Sequence, residues 1–258
     1  MVTVATFISI INQILPEPHA GLLAGILFGT KKAVSKDLLD ALTITGTNYL
    51  VVFNGVNISV LAGLSMTTLL RFFPRRVASF LTILFLAFFV WFVGPTPGAL
   101  RAAIMGSLTL LAVAFGRQKW PLLFYGVTIA IMLMAQPSWI GNLSFQLSAL
   151  ATLGIILFAK KSTSYVKDSL LLTLSAQVFT IPLILFTFHQ ISLVSPLTNI
   201  LIFWIIAPLT VIGMALALLG WIWLPLGYVF GWVSWVLLEY VILVTHWTAK
   251  LPFAILKL

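Results

Sequence analysis

The sequence predicts an all-α, polytopic membrane protein with about eight transmembrane helices, and its composition supports that fold class. Hydrophobic residues make up 61% of the 258 residues, charged residues make up 7%, and the mean hydropathy is +1.16. A soluble domain carries about 25% charged residues, so this chain has too few polar side chains to cover a water-exposed surface. A soluble globular enzyme, a disordered chain and a collagen-like chain are therefore excluded.

The N-terminal segment, residues 1–36, is predicted to hold an interfacial helix and a short re-entrant segment, followed by one transmembrane domain over 37–258. Apolar residues gather on one face of a helix over 2–15, as in helices that lie in the membrane interface, and Pro16 ends this helix. The apolar run 19–30 is about twelve residues long, which is too short to cross a bilayer.

Polar residues, prolines and glycines divide the rest of the chain into eight apolar runs. At 1.5 Å per residue, even the shortest run crosses a bilayer that thins slightly, so each run predicts one crossing. The runs cover residues 50–70, 77–93, 98–115, 120–135, 142–159, 169–188, 196–218 and 226–248.

Basic residues fall in every second loop between these runs, while the intervening loops carry no Lys or Arg. This alternation predicts that the basic loops are cytoplasmic, because Lys and Arg concentrate on that side of a membrane. The same topology places Lys31, Lys32 and Lys36 on the outer side of the membrane, against this rule. Either a further crossing is therefore hidden near these lysines, or they serve something other than orientation. The basic loops carry Arg71, Arg75, Arg76, Arg117, Lys119, Lys160, Lys161 and Lys167.

Polar residues interrupt the apolar sequence most densely between Thr43 and Ser59. Glycines and asparagines this close together predict a broken helix inside the membrane, where unwound backbone is tolerated if it lines water or is buried in protein. The unpaired N–H groups at such a break suit an anionic ligand. Polar contact between helices is the alternative interpretation. The candidate residues of the break are Gly46, Asn48, Tyr49, Asn54, Gly55 and Asn57.

Four further polar residues lie within or beside predicted spans. Arg101 provides either a fixed cation for a phosphate or a side chain that extends to the membrane interface. Gln146, Gln177 and Asn199 lie near helix starts or kinks and together suggest a polar seam through the helix bundle, although contact between helices explains each one singly.

Acidic residues are too few for most catalytic or metal chemistry. The chain has five Asp and Glu residues and no cysteine, so carboxylate metal sites are hard to assemble and disulfides and thiolate sites are excluded. No phosphate-binding loop and no hydrolase motif is present, so we expect no enzyme, no cofactor and no metal. Glu239 and His246, seven residues apart on one helix face, are predicted to form a structural hydrogen-bonded pair.

Residues 15–220 contain an ordered set of motifs: LPEPHAGLLAGILFG at 15–29, TGTNY at 45–49, NGVNI at 54–58, LRAAIM at 100–105, FQLS at 145–148, LGI at 153–155, PL at 182–183 and NIL at 199–201, with Pro208 following. This ordered set resembles the competence domain of ComEC-type DNA-uptake channels. Tyr49 stands where that family usually has histidine and Asn54 where it has serine. A proton switch is therefore not expected at position 49, and stacking of Tyr49 on a base is the alternative.

The resemblance implies a multi-pass protein of the bacterial cytoplasmic (inner) membrane that passes single-stranded DNA during natural transformation. The family's OB-like and metallo-β-lactamase-like domains have no counterpart in this sequence, so degradation of the second strand is not expected of it. Moving one negative charge inward against 100 mV costs about 2.3 kcal/mol, so a cytoplasmic ATP-driven DNA motor is an expected partner. The lipid bilayer, an extracytoplasmic DNA receptor or nuclease and a second copy of the chain are further expected partners.

The expected translocation path consists of polar and small residues, and the expected DNA-attracting mouths are basic. Two other functions stay open: secondary transport of a small anion, which needs a closed midplane site, and a non-conducting assembly subunit with a dry interior. The path residues are Gly46, Asn48, Tyr49, Asn54, Gly55, Asn57, Arg101, Gln146, Gln177 and Asn199. The mouth residues are Lys31, Lys32, Lys36, Arg71, Arg75 and Arg76.

Overall fold

The computed structural model describes residues 3–30, 34–51, 55–159, 165–252 and 254–257, and the fold in these ranges is all-α. They contain eleven α-helices and one short antiparallel pair of strands, so the predicted fold class is confirmed. The helices are α1 Val4–Ile14, α2 His19–Phe28, α3 Lys36–Ile44, α4 Gly55–Leu69, α5 Arg75–Val93, α6 Pro97–Ala114, α7 Pro121–Ala135, α8 Leu143–Phe158, α9 Tyr165–Phe188, α10 Ser195–Ile222 and α11 Leu224–Ala249. The strands are β1 Gln190–Ser192 and β2 Ile255–Lys257.

Five helices in the described residues are long and apolar enough to cross a membrane, namely α5, α6, α9, α10 and α11. The other three predicted spans correspond to α4, α7 and α8, which have 15, 15 and 16 residues. A helix of 15 residues is about 22 Å long, which is less than the roughly 30 Å hydrocarbon core. The chain is thus a polytopic membrane protein, and the figure of eight crossings stays a prediction.

The chain forms two compact units. Unit 1 comprises residues 1–53, 160–174 and 181–258, and unit 2 comprises residues 54–159 and 175–180. Helix α9 contributes its middle turns to unit 2 and its two ends to unit 1.

In unit 1, the hairpin of α10 and α11 packs against α1 and α2. Every residue of α2 is buried, which suits a short helix with apolar side chains on all sides. The helix ends at Gly29, whose φ of 72° and N–H bond to the Gly25 carbonyl form a left-handed C-cap. Helix α1 buries Phe7, Ile10 and Ile11. Its interfacial position, and the domain division at residue 36, stay predictions.

The strands β1 and β2 also belong to unit 1 and pair antiparallel, with Ile191 opposite Leu256. β1 directly precedes α10, so the pairing holds the start of α10 next to the C-terminal residues. This local order positions Ser192 and Ser195, which matter for the site described below.

In unit 2, α4, α5 and α6 pack together, and α6 also contacts α7 and α8. Helix α6 begins at Pro97, and the Thr96 hydroxyl accepts a hydrogen bond from the Ala99 N–H at 3.4 Å. Helices α8 and α9 cross at Gly154, because a Cβ at that position would overlap the carbonyl group of Ser175. Glycine is therefore required for this close approach of two helices.

Candidate functional site

The predicted interruption of the helix is present. Helix α3 ends at Ile44, Gly46 adopts a left-handed φ of 68°, and a 3-10 helix over Asn48–Val51 follows. Helix α4 begins only at Gly55. Asn54 lies outside the described residues, and the division between the two units falls directly before it. The depth of this break in a membrane stays a prediction.

In unit 1, the break brings two predicted path residues together across 150 positions of sequence. The Tyr49 hydroxyl donates to Oδ1 of Asn199 at 2.9 Å. The Asn199 amide in turn donates to the Thr173 hydroxyl at 3.3 Å and to the Ser195 hydroxyl at 3.5 Å. Asn199 is buried and Tyr49 is half-buried. The Tyr49–Asn199 cluster, defined as these four residues, links the break to α9 and α10.

Gly46 lets the chain pass close to this cluster. A Cβ at Gly46 would lie 3.0 Å from Cβ of Ser192 and 3.1 Å from Cβ of Ser195, and the positive φ also disfavours a side chain. Asn48 makes a bond local to the break, since its amide donates to the Thr43 hydroxyl at 2.8 Å. In the described part of the break, the chain therefore forms a defined turn in which the side chains of Asn48 and Tyr49 have hydrogen-bond partners.

In unit 2, Arg101 lies in the second turn of α6, and its guanidinium group faces Gly55 at the start of α4. A Cβ built on Gly55 would lie 3.2 Å from Nη2 of Arg101 and 3.3 Å from Cβ of Ala102. The absence of a side chain at Gly55 thus leaves room for the guanidinium. Asn57 is buried nearby in sequence on α4. The structure accordingly brings Arg101 and Gly55, two predicted path residues, into contact.

The charge of Arg101 has no counter-ion within its own unit. Its Nε atom is buried and has no hydrogen-bond partner among the described residues. The sequence of unit 2 contains six basic residues and no Asp or Glu, since all five acidic residues of the chain belong to unit 1. A cation that is partly withdrawn from water is stabilised by an anion or by hydrogen-bond acceptors, so this arrangement suits an anionic ligand.

Five exposed basic residues gather at one end of unit 2. Phe80 near the start of α5 and Phe115 at the end of α6 stack edge to face with centroids 6.4 Å apart, so the loop before α5 and the loop after α6 lie at the same end. We call these residues the basic rim. The basic rim comprises Arg71, Arg75, Arg76, Arg117 and Lys119. Of these, the sequence pattern predicted the first three as a DNA mouth and assigned the last two only to orientation.

The remaining predicted site residues lie apart from these clusters or outside the described ranges. Gln146 donates to the Ile140 carbonyl at 2.7 Å, a bond local to the start of α8. Gln177 is half-buried in the part of α9 that belongs to unit 2, and Lys36 is exposed at the start of α3. Lys31 and Lys32 lie outside the described residues. The path and mouth roles of all these residues stay predictions.

The expected pair of Glu239 with His246 is wrong. Seven residues of helix separate two side chains by about 10.5 Å along the axis, which is too far for a hydrogen bond. Glu239 instead pairs with His19, with 2.7 Å between Oε2 and Nε2. His246 lies 3.8 Å from Asp37, an exposed carboxylate on α3. No local sequence pattern indicated His19, because 220 residues separate it from its partner.

Within the described residues, no group of three or more His, Cys, Asp or Glu side chains is placed to hold a metal ion. The clusters described above consist instead of arginine, hydroxyl and amide groups. Such groups bind anions and polar ligands by hydrogen bonds and charge.

One family model matches most of the chain. The family model described as "Competence: Competence protein" matches residues 26–258. The chain belongs to the Competence protein family. The family match therefore confirms the resemblance carried by the sequence motifs, and it includes the Tyr49–Asn199 cluster, Arg101 and the basic rim.

Among curated proteins, this Competence family chain is similar to "ComE operon protein 3" of Bacillus subtilis (strain 168). The two sequences are 30% identical over 202 residues. The aligned region is 75% of this chain and 26% of the relative, so the chain spans about a quarter of that relative's length. No solved structure matches the chain.

Proposed function

We propose that this chain is a channel that passes single-stranded DNA across the bacterial cytoplasmic membrane into the cell during natural transformation. The observation that carries the proposal is the partly buried side chain of Arg101, whose Nε is buried and has no partner among the described residues, in a unit that has six basic and no acidic residues. Membership of the Competence protein family selects DNA among the anions that such a site suits.

In this proposal, Arg101 contacts the phosphates of the strand as it passes through unit 2. A guanidinium group binds a phosphate through two parallel hydrogen bonds, and the lack of a side chain at Gly55 leaves room for that group. No carboxylate in unit 2 competes with the phosphates for these donors. Beyond the exposed basic residues of this unit, the strand therefore meets one partly buried cation, Arg101, which attracts each phosphate in turn.

The basic rim attracts the strand to unit 2 through its charge. Exposed Phe72, Phe73 and Trp120 lie beside its basic residues in sequence and provide aromatic faces that accept any base. Charge and stacking are both independent of base identity, so the proposed channel takes up DNA of any sequence.

The Tyr49–Asn199 cluster is the proposed contact of unit 1 with the strand. The Tyr49 hydroxyl is held by Asn199, which fixes the orientation of the half-buried ring. A ring held in this way is able to stack on a base without loss of side-chain freedom at the moment of contact.

Transport in this proposal depends on an external source of energy and is not enzymatic. Each nucleotide carries about one negative charge, and inward movement of that charge against 100 mV costs about 2.3 kcal/mol. The sequence has no nucleotide-binding loop. An ATP-driven motor in the cytoplasm and a DNA receptor or nuclease outside complete the proposed machinery.

The proposal is tested with the purified chain in lipid vesicles that contain a trapped single-strand-binding protein. Fluorescent single-stranded DNA is added outside, and the amount protected from an external nuclease is measured. We expect protection in vesicles that contain both the chain and the trap, and we expect none with double-stranded DNA. Vesicles without the chain are the control.

Four outcomes would contradict parts of the proposal, and two of them would indicate a rival function. Protection equal to that of vesicles without the chain would overturn the channel. Uptake of radiolabelled phosphate or another small anion, with no uptake of DNA, would instead indicate a secondary anion transporter. Absence of both activities would indicate a non-conducting assembly subunit. Accumulation of DNA without trap, gradient or motor would refute the need for an external energy source.

A further inference from the structure

Two apolar grooves flank the first turns of α7 in unit 2. The first groove lies between α6 and α7 and has a volume of about 670 Å³. Its α6 wall spans seven residues, which is about 10.5 Å of helix and fits within the roughly 15 Å of hydrocarbon in one leaflet of a bilayer. The residues of this wall have the i, i+3, i+4, i+7 spacing of one helix face, so they form a continuous apolar stripe. They are Leu108, Leu111, Ala112 and Phe115.

The second groove runs along α7 and has a volume of about 540 Å³. Trp120 and Leu123 line both grooves, and each of these side chains is more than half exposed. The grooves therefore adjoin along these two side chains. Gly126 lines the second groove, and a Cβ there would meet no atom within 4 Å, so the lack of a side chain keeps this groove open. We call the two together the α7 grooves.

Two basic side chains lie where α6 turns into α7, at the end of the α7 grooves. Arg117 lines the first groove, Lys119 directly precedes Trp120, and both basic residues are exposed. The backbone fixes the position of Arg117, because Gly116 has a left-handed φ of 65° and the Arg117 N–H bonds to the Ala112 carbonyl at 2.8 Å. The arginine side chain thus starts beside the apolar stripe.

The charges of unit 2 favour a ligand with a net negative charge at this position. The sequence of the unit contains six basic residues and no Asp or Glu. The phosphate of a lipid headgroup pairs with arginine and lysine, whereas the ammonium group of a zwitterionic headgroup finds no carboxylate partner in this unit. Basic residues next to membrane-spanning helices attract anionic lipids for the same reason.

We propose that the α7 grooves bind one molecule of an anionic phospholipid of the phosphatidylglycerol type. Arg117 and Lys119 hold the headgroup phosphate, and one acyl chain lies in each groove. The Trp120 indole lies at the level of the headgroup, where tryptophans concentrate in membrane proteins. When the lipid is bound, the attraction of DNA falls to the other three members of the basic rim, together with Phe72 and Phe73.

The test measures the binding of single phospholipid molecules to the purified, delipidated full chain by native mass spectrometry. Dissociation constants are compared for phosphatidylglycerol and phosphatidylcholine with the same acyl chains. We expect the first molecule of phosphatidylglycerol to bind at least about tenfold more tightly than the first molecule of phosphatidylcholine, because each basic residue near anionic lipid contributes about fivefold.

Two variants separate the headgroup contact from the groove. Arg117→Gln combined with Lys119→Gln should remove the preference for phosphatidylglycerol. Gly126→Leu should weaken the binding of both lipids, because its side chain fills the second groove. Lys250→Gln is the charge control, since Lys250 is exposed but belongs to unit 1. Gly106→Leu is the volume control, since Gly106 lies on α6 outside both grooves and a Cβ there meets no atom within 4 Å. Both controls should bind like the wild type.

Three results would overturn the proposal. Equal affinity of the wild type for the two lipids would mean that the grooves hold ordinary annular lipid. A preference that persists in the double variant, or wild-type affinity in Gly126→Leu, would place the lipid elsewhere. A dimer that forms without lipid and dissociates in Gly126→Leu would assign the grooves to a second copy of the chain.

A second measurement needs no variant. Phosphatidylglycerol with a photoreactive group in its acyl chains is crosslinked to the wild-type chain in nanodiscs that contain excess phosphatidylcholine, and the modified residues are mapped. Crosslinks concentrated in residues 108–130 support the proposal, whereas crosslinks spread evenly over all lipid-facing helices would overturn it. Neither measurement depends on DNA uptake, so the lipid site and the proposed function are tested separately.

Discussion

Replacement of Arg101 by methionine should separate the function of this residue from its effect on stability. The change keeps most of the side-chain volume beside Gly55 but removes the charge. Because Nε is buried without a partner among the described residues and unit 2 contains no acidic residue, we expect no loss of stability and a gain of up to about 1–3 kcal/mol in the free energy of unfolding. Removal of a charge-assisted hydrogen bond to a phosphate should cost about 1.5–3 kcal/mol, which is roughly a 10- to 100-fold decrease in DNA uptake.

The assay combines DNA uptake into vesicles with thermal unfolding of the purified variant. Lys250→Met is the control, since Lys250 is an exposed basic residue outside the basic rim and should affect uptake and stability little. Uptake that falls together with stability would make Arg101 a structural residue. Unchanged uptake would refute the phosphate contact and would favour a side chain that merely extends to the membrane interface.

Three further predictions concern the Tyr49–Asn199 cluster, the crossing of α8 and α9 at Gly154, and the basic rim. Tyr49→Phe removes the hydroxyl that donates to Oδ1 of Asn199 on α10 at 2.9 Å, and it should lower the free energy of unfolding by about 1 kcal/mol; equal stability in denaturant would mean that this bond contributes nothing. Gly154→Val should lower the melting temperature because its side chain overlaps the α9 backbone, whereas Gly106→Val, with no atom within 4 Å of its Cβ, should have little effect. Replacing Arg75 and Arg76 by glutamine should weaken the binding of single-stranded DNA. The slope of the logarithm of the binding constant against the logarithm of the salt concentration should become shallower by about 1.4, because each neutralised phosphate contributes about 0.7 to it. An unchanged slope in a salt titration would show that neither arginine binds the DNA.

The spans were predictable from the sequence because the bilayer imposes a simple requirement on composition. Apolar side chains must face lipid, so the runs 98–115 and 226–248 coincide closely with α6 and α11. The run 50–70 began too early, since α4 begins at Gly55 after the break. The β1–β2 pair was missed because strands of three residues have too short a pattern to recognise.

The candidate site was predictable in its residue types but only partly in its contacts. Glycine and asparagine indicate a break because they favour turns, and the break was found where they cluster. The contact of Tyr49 with Asn199 and that of His19 with Glu239 depend on tertiary packing across 150 and 220 residues, so no local spacing indicates them. The sequence shows that residues 54–159 contain no Asp or Glu. That Arg101 therefore has no counter-ion within its own unit became clear only once the structure gave the bounds of unit 2.

Access of water to the guanidinium of Arg101 is the most direct test of a conducting interior. The chain has no cysteine, so Ala102→Cys places a single thiol beside Gly55 and Arg101. We predict that a charged, membrane-impermeant thiol reagent modifies this cysteine in nanodiscs and that single-stranded DNA slows the reaction. Ala78→Cys, at a fully buried position of α5, should stay unmodified until the protein unfolds. A cysteine at position 102 that is as unreactive as the one at position 78 would contradict a water-filled path beside Arg101.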